Sequence, residues 1–379
     1  MKISKVENII LILLYTLFFH ASACANMVID DKDYTLYRNY AIIFIIIFLL
    51  IKYRKLTKLF SNVYCNIWYV FAFFVMIASF PLYITEGVKL LLVPVVYFMI
   101  MQYDIDLLIH IAWASILDGI WILIQSIQYK GIRLDGYFSG IFRNPNTFGA
   151  SMAVFFIGVC CLFLYAKYIY QKVILILLGI IAFSYQLLSF CRSALITSVI
   201  ILLLVLFFHE RENKNRRRVY IYSLITIFSA FLLLIWKGAA IVEIISLHVF
   251  KWDTTSGDLS SSRTEMWKEV ILHPTLFGST PKFHPHNTFL AVSYYYGIVA
   301  GLILTGLVIS ILYKIFVQYW RSKDVRQYTA IIYIITFICI GMFEESLGFT
   351  GREWMIIGFC GLGYASKELV RNHKKDRKG

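Results

Sequence analysis

Charge is scarce in this sequence, and its absence from long stretches bounds the class of protein. Only 15% of the 379 residues are charged and 60% are hydrophobic, whereas a soluble domain is about 25% charged. Three stretches of about 18 residues carry no charge: 147–166, 173–191 and 193–209. A bilayer core about 30 Å thick needs a helix of about 20 apolar residues. A soluble globular protein is therefore excluded, and an all-α polytopic membrane protein is predicted.

The seven cysteines lack the spacing of a disulfide framework or a metal site. They are odd in number, form no Cys-x-x-Cys pair and fall mostly inside apolar runs, where cysteine behaves as a small hydrophobic residue. The chain also lacks an internal repeat of the kind that marks transporter halves, a Gly/Ser-rich linker and a low-complexity tract. Residues 1–379 are therefore predicted to form a single membrane domain.

The net charge of +14 is informative through its distribution. In a soluble protein it would suggest a nucleic-acid partner. Here lysine and arginine collect in short connections between apolar segments, as in 52–58, 209–218 and 314–326, and in the C-terminal tail. Cytoplasmic loops of membrane proteins carry such an excess. No nucleic-acid partner is therefore predicted, and both termini are placed in the cytoplasm.

About twelve membrane-spanning helices account for the alternation of apolar runs and loops. The first helix follows Lys2 and Lys5. Residues Ala21–Cys24 resemble a signal-peptide cleavage site, but this helix is expected to remain part of the protein because apolar sequence soon resumes. Pro81 and Gly87 are expected in the turn between the third and fourth spans. The polar residues 237–287 are predicted to form a large extracytoplasmic loop between helices 9 and 10. The later spans are expected at about 40–51, 66–84, 88–101, 105–125, 147–166, 173–191, 193–209, 219–236, 288–313 and 328–343, with a last one ending near 367.

The polar stretch before the tenth span holds most of the candidate chemistry. Residues 262–265, Ser-Arg-Thr-Glu, match a capping box, which predicts a helix that stops near His273 because Pro274 follows. Arg263 and Trp267 are four residues apart and share one face of that helix. The alternative is a surface helix whose arginine pairs with a glutamate.

Two histidines, His284 and His286, come directly before the tenth span. They could bind a metal, but this loop offers no convincing third and fourth ligand, so no metal site is predicted. A histidine at a wet, fixed helix entry suits proton transfer near neutral pH. Asn287 stands where free backbone N–H groups need an acceptor, so a capping role is expected for it.

Two further arginines are expected at the same membrane face. Arg192 stands alone between the seventh and eighth spans, where an arginine is costly unless it faces water or an anion; the alternative is that it reaches lipid headgroups. Arg143 is followed by Asn144 and Asn146 at the start of the sixth span, and a planar guanidinium suits phosphate oxygens. With Arg263 and His286 nearby, these arginines predict an anion site.

Asp118, near the middle of the fifth span, is the main support for a different class of protein. An intramembrane carboxylate suggests function by default, and a polysaccharide or proton-coupled transporter would use one. The alternative is a hydrogen bond to a neighbouring helix. A transporter also predicts polar residues clustered at the midplane, whereas these candidates lie at the surface. Glu344 and Glu345, in the turn before the last span, are expected to be solvated.

These motifs, in this order, resemble the bacterial O-antigen polymerase and O-antigen ligase superfamily, which includes capsule polymerases. In the segment 189–193, Cys191 stands where the family usually has a serine before the arginine, and the arginine itself, Arg192, is present. The similar segments are Gly140-Ile-Phe-Arg-Asn-Pro-Asn146, Ser189-Phe-Cys-Arg-Ser193, Arg263-Thr-Glu-Met-Trp267 with Pro274 and Gly278, and His286-Asn-Thr-Phe-Leu290 leading to Tyr296-Gly297.

The resemblance implies a GT-C-like, metal-independent glycosyltransferase of the bacterial cytoplasmic (inner) membrane that uses no cofactor. The donor would be an oligosaccharide on undecaprenyl pyrophosphate, and the partners a glycan acceptor, membrane lipid and a chain-length regulator protein. Arg192 and Arg263 would bind the pyrophosphate and His286 would be the catalytic base. A polymerase of O-antigen or capsule is favoured over a ligase that transfers glycan to lipid A-core in lipopolysaccharide. The residues expected to bind substrate are Arg143, Asn144, Asn146, Trp267, His284 and Asn287.

Overall fold

The structure is a computed structural model, and the chain in it is helical. It describes residues 5–24, 34–52, 62–78, 84–93, 107–129, 131, 137–212, 263–278, 282–345 and 352–376. These residues form thirteen α-helices and include no β-strand. The prediction of an all-α protein is thus confirmed for the part of the chain that the structure describes.

The helices follow the apolar segments of the sequence, with shorter helices beside the polar motifs. Their bounds are α1 Lys5–Cys24, α2 Tyr34–Lys52, α3 Val63–Ala78, α4 Ile84–Val93, α5 Leu107–Gln128, α6 Pro145–Tyr165, α7 Ile169–Ser189, α8 Arg192–Glu212, α9 Arg263–Leu272, α10 Thr288–Tyr296, α11 Ile298–Ser322, α12 Val325–Gly341 and α13 Glu353–Asp376.

Five of the described helices, α1, α5, α6, α7 and α11, are long and apolar enough to cross a membrane. Shorter apolar segments lie in α2, α3, α8 and α12. Helix α6 is buried along most of its length, whereas α7 exposes Val173, Ile176 and Ile180 by 48–57%. Large apolar side chains on an exposed face suit lipid and not water. The described helices therefore indicate a membrane protein.

Side-chain contacts at the two ends of the bundle set the relative directions of the helices. The Asn62 amide, just before α3, donates to Ser366 late in α13 over 3.3 Å. Lys314, late in α11, donates to the Tyr64 hydroxyl early in α3 over 3.2 Å. Helix α3 is therefore antiparallel to α11 and α13. At the opposite end, Ser151 early in α6 donates to Glu353, the first residue of α13, over 2.7 Å. We call this the Glu353 end.

Two predicted boundaries are wrong. Gly87 lies within α4, Ile84–Val93, instead of in a turn. The tenth span is two helices, α10 and α11, separated by Gly297 at φ +96°. Glycine reaches this left-handed region without steric cost, and a Cβ there would lie 2.0 Å from the Leu276 carbonyl oxygen. The predicted ninth span and residues 237–262 of the long loop lie outside the described residues.

A buried polar pair joins α1 to α5. His20 Nδ1 lies 3.0 Å from the Asp118 carboxylate, and Nε2 of the same ring lies 3.3 Å from the Cys24 sulfur. The imidazole also stacks on Trp121, with ring centroids 3.8 Å apart. Asp118 therefore has a hydrogen-bond partner on a neighbouring helix, as expected if its role is structural and not in transport. All seven cysteines are unpaired and six are buried, as expected for small hydrophobic residues.

Candidate functional site

Several predicted site residues lie at the first turn of a helix. Arg192 is the first residue of α8. Asn146 lies in the first turn of α6, and Asn287 directly precedes α10. Helix N-termini present free N–H groups and a partial positive charge. Where such termini meet, together with arginines, the local field favours an anion.

The turn before α6 contacts the turn between α7 and α8. The Asn144 side-chain oxygen accepts the Asn146 amide at 2.9 Å and so caps α6. The Cys191 thiol donates to the Asn146 carbonyl over 3.5 Å. Gly149 permits this close approach, because a Cβ there would lie 2.2 Å from the Cβ of Cys191. Arg192 thus begins α8 beside the first turn of α6.

The two arginines of these turns differ in environment. Arg192 is half-buried, whereas Arg143 is exposed and, within the described residues, makes no hydrogen bond or ion pair with the other predicted site residues. Burial is the main reason that the pKa of the Cys191 thiol rises to about 11; Glu344 adds to this rise and Arg263 opposes it. The turn that carries Arg192 therefore lies within electrostatic reach of Arg263, and Arg143 lies at the rim.

Helix α9 turns Arg263 and Trp267 toward the rest of the protein. The helix ends at Leu272, as the proline two residues later predicted, while the expected capping residue Ser262 lies outside the described residues. Arg263 Nη1 donates to the Phe343 carbonyl over 2.8 Å, and Trp267 Nε1 donates to the Pro285 carbonyl over 2.7 Å. A guanidinium has five N–H donors. One backbone contact therefore holds Arg263 in place and leaves other donors for a ligand.

His286 lies in a strained backbone conformation between two buried residues. Its φ is +50°, a left-handed conformation that costs a residue other than glycine about 1–2 kcal/mol. Pro285 and Asn287 on either side are buried. The Asn287 side chain accepts the amides of Phe289 and Leu290, both at 3.0 Å, and so caps α10. The predicted capping role of Asn287 is confirmed.

The electrostatic surroundings of His286 favour its neutral form. Burial lowers the pKa of this half-buried imidazole, the Arg263 cation lowers it further, and Glu345 opposes the change. Since the ordinary value is about 6.5, the ring is neutral at pH 7 and keeps a nitrogen lone pair. A general base needs this form. The Arg263 guanidinium is therefore close enough to His286 to act on its pKa electrostatically.

The turn after α12 holds the histidine loop from the other side. The sequence predicts Glu344 and Glu345 to be solvated, which is wrong, because both are partly buried. The Glu345 carboxylate accepts a hydrogen bond from the Tyr295 hydroxyl. His284 Nδ1 lies 3.0 Å from the same hydroxyl and 3.4 Å from Glu345. His284, although 76% exposed, therefore helps to fix the loop to this turn.

A small polar cleft, which the sequence did not reveal, lies between this turn and α6. One nitrogen of Arg352, Nη1, is buried there and has no hydrogen-bond partner among the described residues. Burial raises the pKa of Glu344, whereas Arg263 and Arg352 lower it. The cleft has a volume of about 30 Å³, room for about two waters. Its lining residues are Asn146, Thr147, Ala150, Glu344, Glu345, Arg352, Glu353 and Trp354.

The geometry thus brings Arg263, Trp267, His286 and the Arg192 turn together at the Glu353 end, with Arg143 at the rim. Asp118 lies between α1 and α5, hydrogen-bonded to His20, and within electrostatic reach of Glu353. Among the described residues, no three His, Cys, Asp or Glu side chains lie where they could share a metal ion. No protein-family model matches the chain, and no curated protein matches it.

Proposed function

We propose that this chain is a glycosyltransferase, a polymerase of O-antigen or capsule polysaccharide. It transfers a growing glycan from undecaprenyl pyrophosphate to the next lipid-linked repeat unit. The observation that carries the proposal is Arg263, suited to an anion, beside a neutral His286 at one end of a helical membrane bundle. The proposal includes a bacterial cytoplasmic membrane, twelve spans in a GT-C-like fold, cytoplasmic termini and a site on the outer face.

In the proposed reaction, a hydroxyl of the acceptor sugar attacks the anomeric carbon of the donor glycan. The new glycosidic C–O bond forms while the bond from that carbon to the pyrophosphate oxygen breaks, and its electron pair leaves with the pyrophosphate. His286 takes the hydroxyl proton and later releases it to water. Arg263 and Arg192 stabilise the charge on the leaving oxygen; one preorganised donor is worth about 3 kcal/mol in comparable acyl-transfer sites.

Fixed positions of the reacting groups support this assignment. The Phe343 carbonyl holds Arg263, and the indole of Trp267 holds the backbone just before His286. Donors that are already in place need no reorganisation when charge develops. The indole N–H of Trp267 and the side-chain oxygen of Asn287 are engaged in these internal bonds. We therefore assign Trp267 as a positioning residue instead of the substrate contact that the sequence suggested, whereas the side-chain N–H groups of Asn287 can still donate to substrate.

The test replaces the proposed catalytic residues in a strain that lacks the chromosomal copy. Arg263→Ala and His286→Ala should abolish long glycan at unchanged protein level in the membrane, because a general base alone contributes about 10²–10⁴-fold in rate. Arg321→Ala is the matched control, since Arg321 is exposed in the last turn of α11, at the far end of the bundle. Glycan of wild-type length in both alanine variants would overturn the proposal.

The same deletion strain separates the competing functions. A single repeat unit on lipid A-core indicates a polymerase. Lipid-linked polymer that accumulates without attached glycan indicates a ligase. Loss of lipid-linked units from the outer face indicates a transporter.

A further inference from the structure

Four large apolar side chains stand exposed within seven residues at the end of α9. Ile271, Leu272, Leu276 and Phe277 expose 61, 69, 63 and 62% of their surfaces, and we call them the 271–277 ridge. They lie outside the five helices that could span a membrane. The earlier exposed residues of α9 are polar, as at Lys268. A contiguous apolar patch of this kind marks an interaction surface.

The ridge continues the exposed apolar face of α3. Phe277 stacks on Phe74, with ring centroids 6.1 Å apart and planes 12° apart. Phe74 lies one turn before the C-terminal end of α3. The same helix exposes Val70, Phe73 and Ile77 by 55–60%. Because α3 is an apolar helix of a membrane protein, these side chains face lipid, and Phe277 extends that surface.

Backbone contacts fix the ridge at the start of a candidate membrane span. The Ile298 amide, at the first residue of α11, donates to the Thr275 carbonyl over 2.8 Å. Gly297 approaches Leu276 so closely that a Cβ would meet its carbonyl oxygen at 2.0 Å. Helix α11 is 25 residues long and apolar enough to cross the bilayer. The ridge is therefore level with the entry of α11 into the membrane.

We propose that the 271–277 ridge inserts into the lipid leaflet at the Glu353 end of the bundle. Its partner is the boundary between phospholipid headgroups and acyl chains. Helix α9 then lies along the membrane surface, because Arg263, Trp267 and the buried Val270 face the protein while its C-terminal end contacts lipid. Short apolar segments of this kind bind at the interface by buried apolar area. The proposal does not rest on glycosyl transfer.

The experiment places an environment-sensitive NBD fluorophore on Phe277→Cys, in the full chain reconstituted into phosphatidylethanolamine and phosphatidylglycerol vesicles. Cys339→Ala provides the background, because the other six native cysteines are buried. Lipids with a doxyl group on the acyl chain should quench the fluorophore, and aqueous iodide should not. Glu265→Cys, exposed on the same helix, is the matched control and should show the reverse pattern.

Two results would overturn the proposal. Quenching by iodide but not by doxyl lipid would place residue 277 in water. Protection from both quenchers would mean that protein covers the ridge, either another part of this chain or a second copy. Leu272→Cys repeats the measurement if Phe277→Cys fails to fold. Since no activity is measured, loss of the proposed glycosyltransferase function leaves the result unchanged.

Discussion

Replacing His20 with alanine is expected to destabilise the contact between α1 and α5. His20 and Asp118 are 5% and 2% exposed, and their hydrogen bond spans 3.0 Å. The variant removes this bond and the stacking of the imidazole on Trp121. It also leaves the Asp118 carboxyl buried without its histidine partner.

The magnitude follows from the membrane setting. Removing one partner of a buried ion pair costs about 3–5 kcal/mol in soluble proteins. Within membranes, coupling between polar side chains averages about 0.6 kcal/mol and reaches about 1.7 kcal/mol, because the unfolded state also finds partners. Ring stacking adds about 0.5–1.5 kcal/mol. Since both residues are almost wholly buried, the upper end of both membrane and stacking ranges applies, and His20→Ala should lower the free energy of unfolding by about 3 kcal/mol.

A double-mutant cycle measures this pair by unfolding the purified protein in detergent micelles. His20→Ala, Asp118→Ala and the double variant are compared with wild type, and the double variant should lose less than the two single losses added together. His273→Ala is the control, because that side chain is 70% exposed. Additive losses, or a His20→Ala variant as stable as His273→Ala, would refute the reasoning.

Three further predictions concern the site. Activity should fall with acidification as His286 becomes protonated, at a pH below about 6.5 because the pKa of His286 is lowered. The Arg263→Gln variant removes a cation that lowers this pKa, so its residual activity should fall at a higher pH than that of the wild type. An unchanged pH profile would contradict this. Trp267→Phe removes the N–H that holds Pro285 and should reduce kcat about five-fold, the equivalent of about 1 kcal/mol, with little change in KM. Asn287→Ala should lower thermal stability by about 1 kcal/mol through loss of the cap, whereas Asn287→Asp should retain it; equal losses would rule out the capping explanation.

Hydropathy predicted the positions of the helices better than their interruptions. The uncharged stretch 147–166 corresponds to α6, Pro145–Tyr165, because length and apolar content decide whether a segment can span a bilayer. The break at Gly297 was not visible, because a single glycine barely changes the hydropathy of the run 288–313. Its cause is the approach of the Leu276 backbone, a tertiary contact.

In the site, local signals predicted local structure and missed long-range contacts. The end of α9 and the capping of α10 by Asn287 each depend on residues no more than four positions apart in the sequence. Both could therefore be predicted from the sequence. The contact between Arg263 and the Phe343 carbonyl joins residues 80 positions apart, and no local pattern indicates it. The partial burial of Glu345 was missed for the same reason, because its carboxylate accepts a hydrogen bond from the hydroxyl of Tyr295, 50 positions away in the sequence.

Arginines at helix N-termini are an unfavourable arrangement that the proposed anionic substrate would explain. Arg192 is the first residue of α8, and Arg352 directly precedes α13. A cation at a helix N-terminus opposes the helix dipole, at a cost of about 0.3–1 kcal/mol each. Glu344 offsets part of this charge, but burial raises its pKa and so disfavours its ionised form. The proposed anionic substrate would offset this cost, whereas acidic residues at the same positions would favour the helix termini but repel such a substrate.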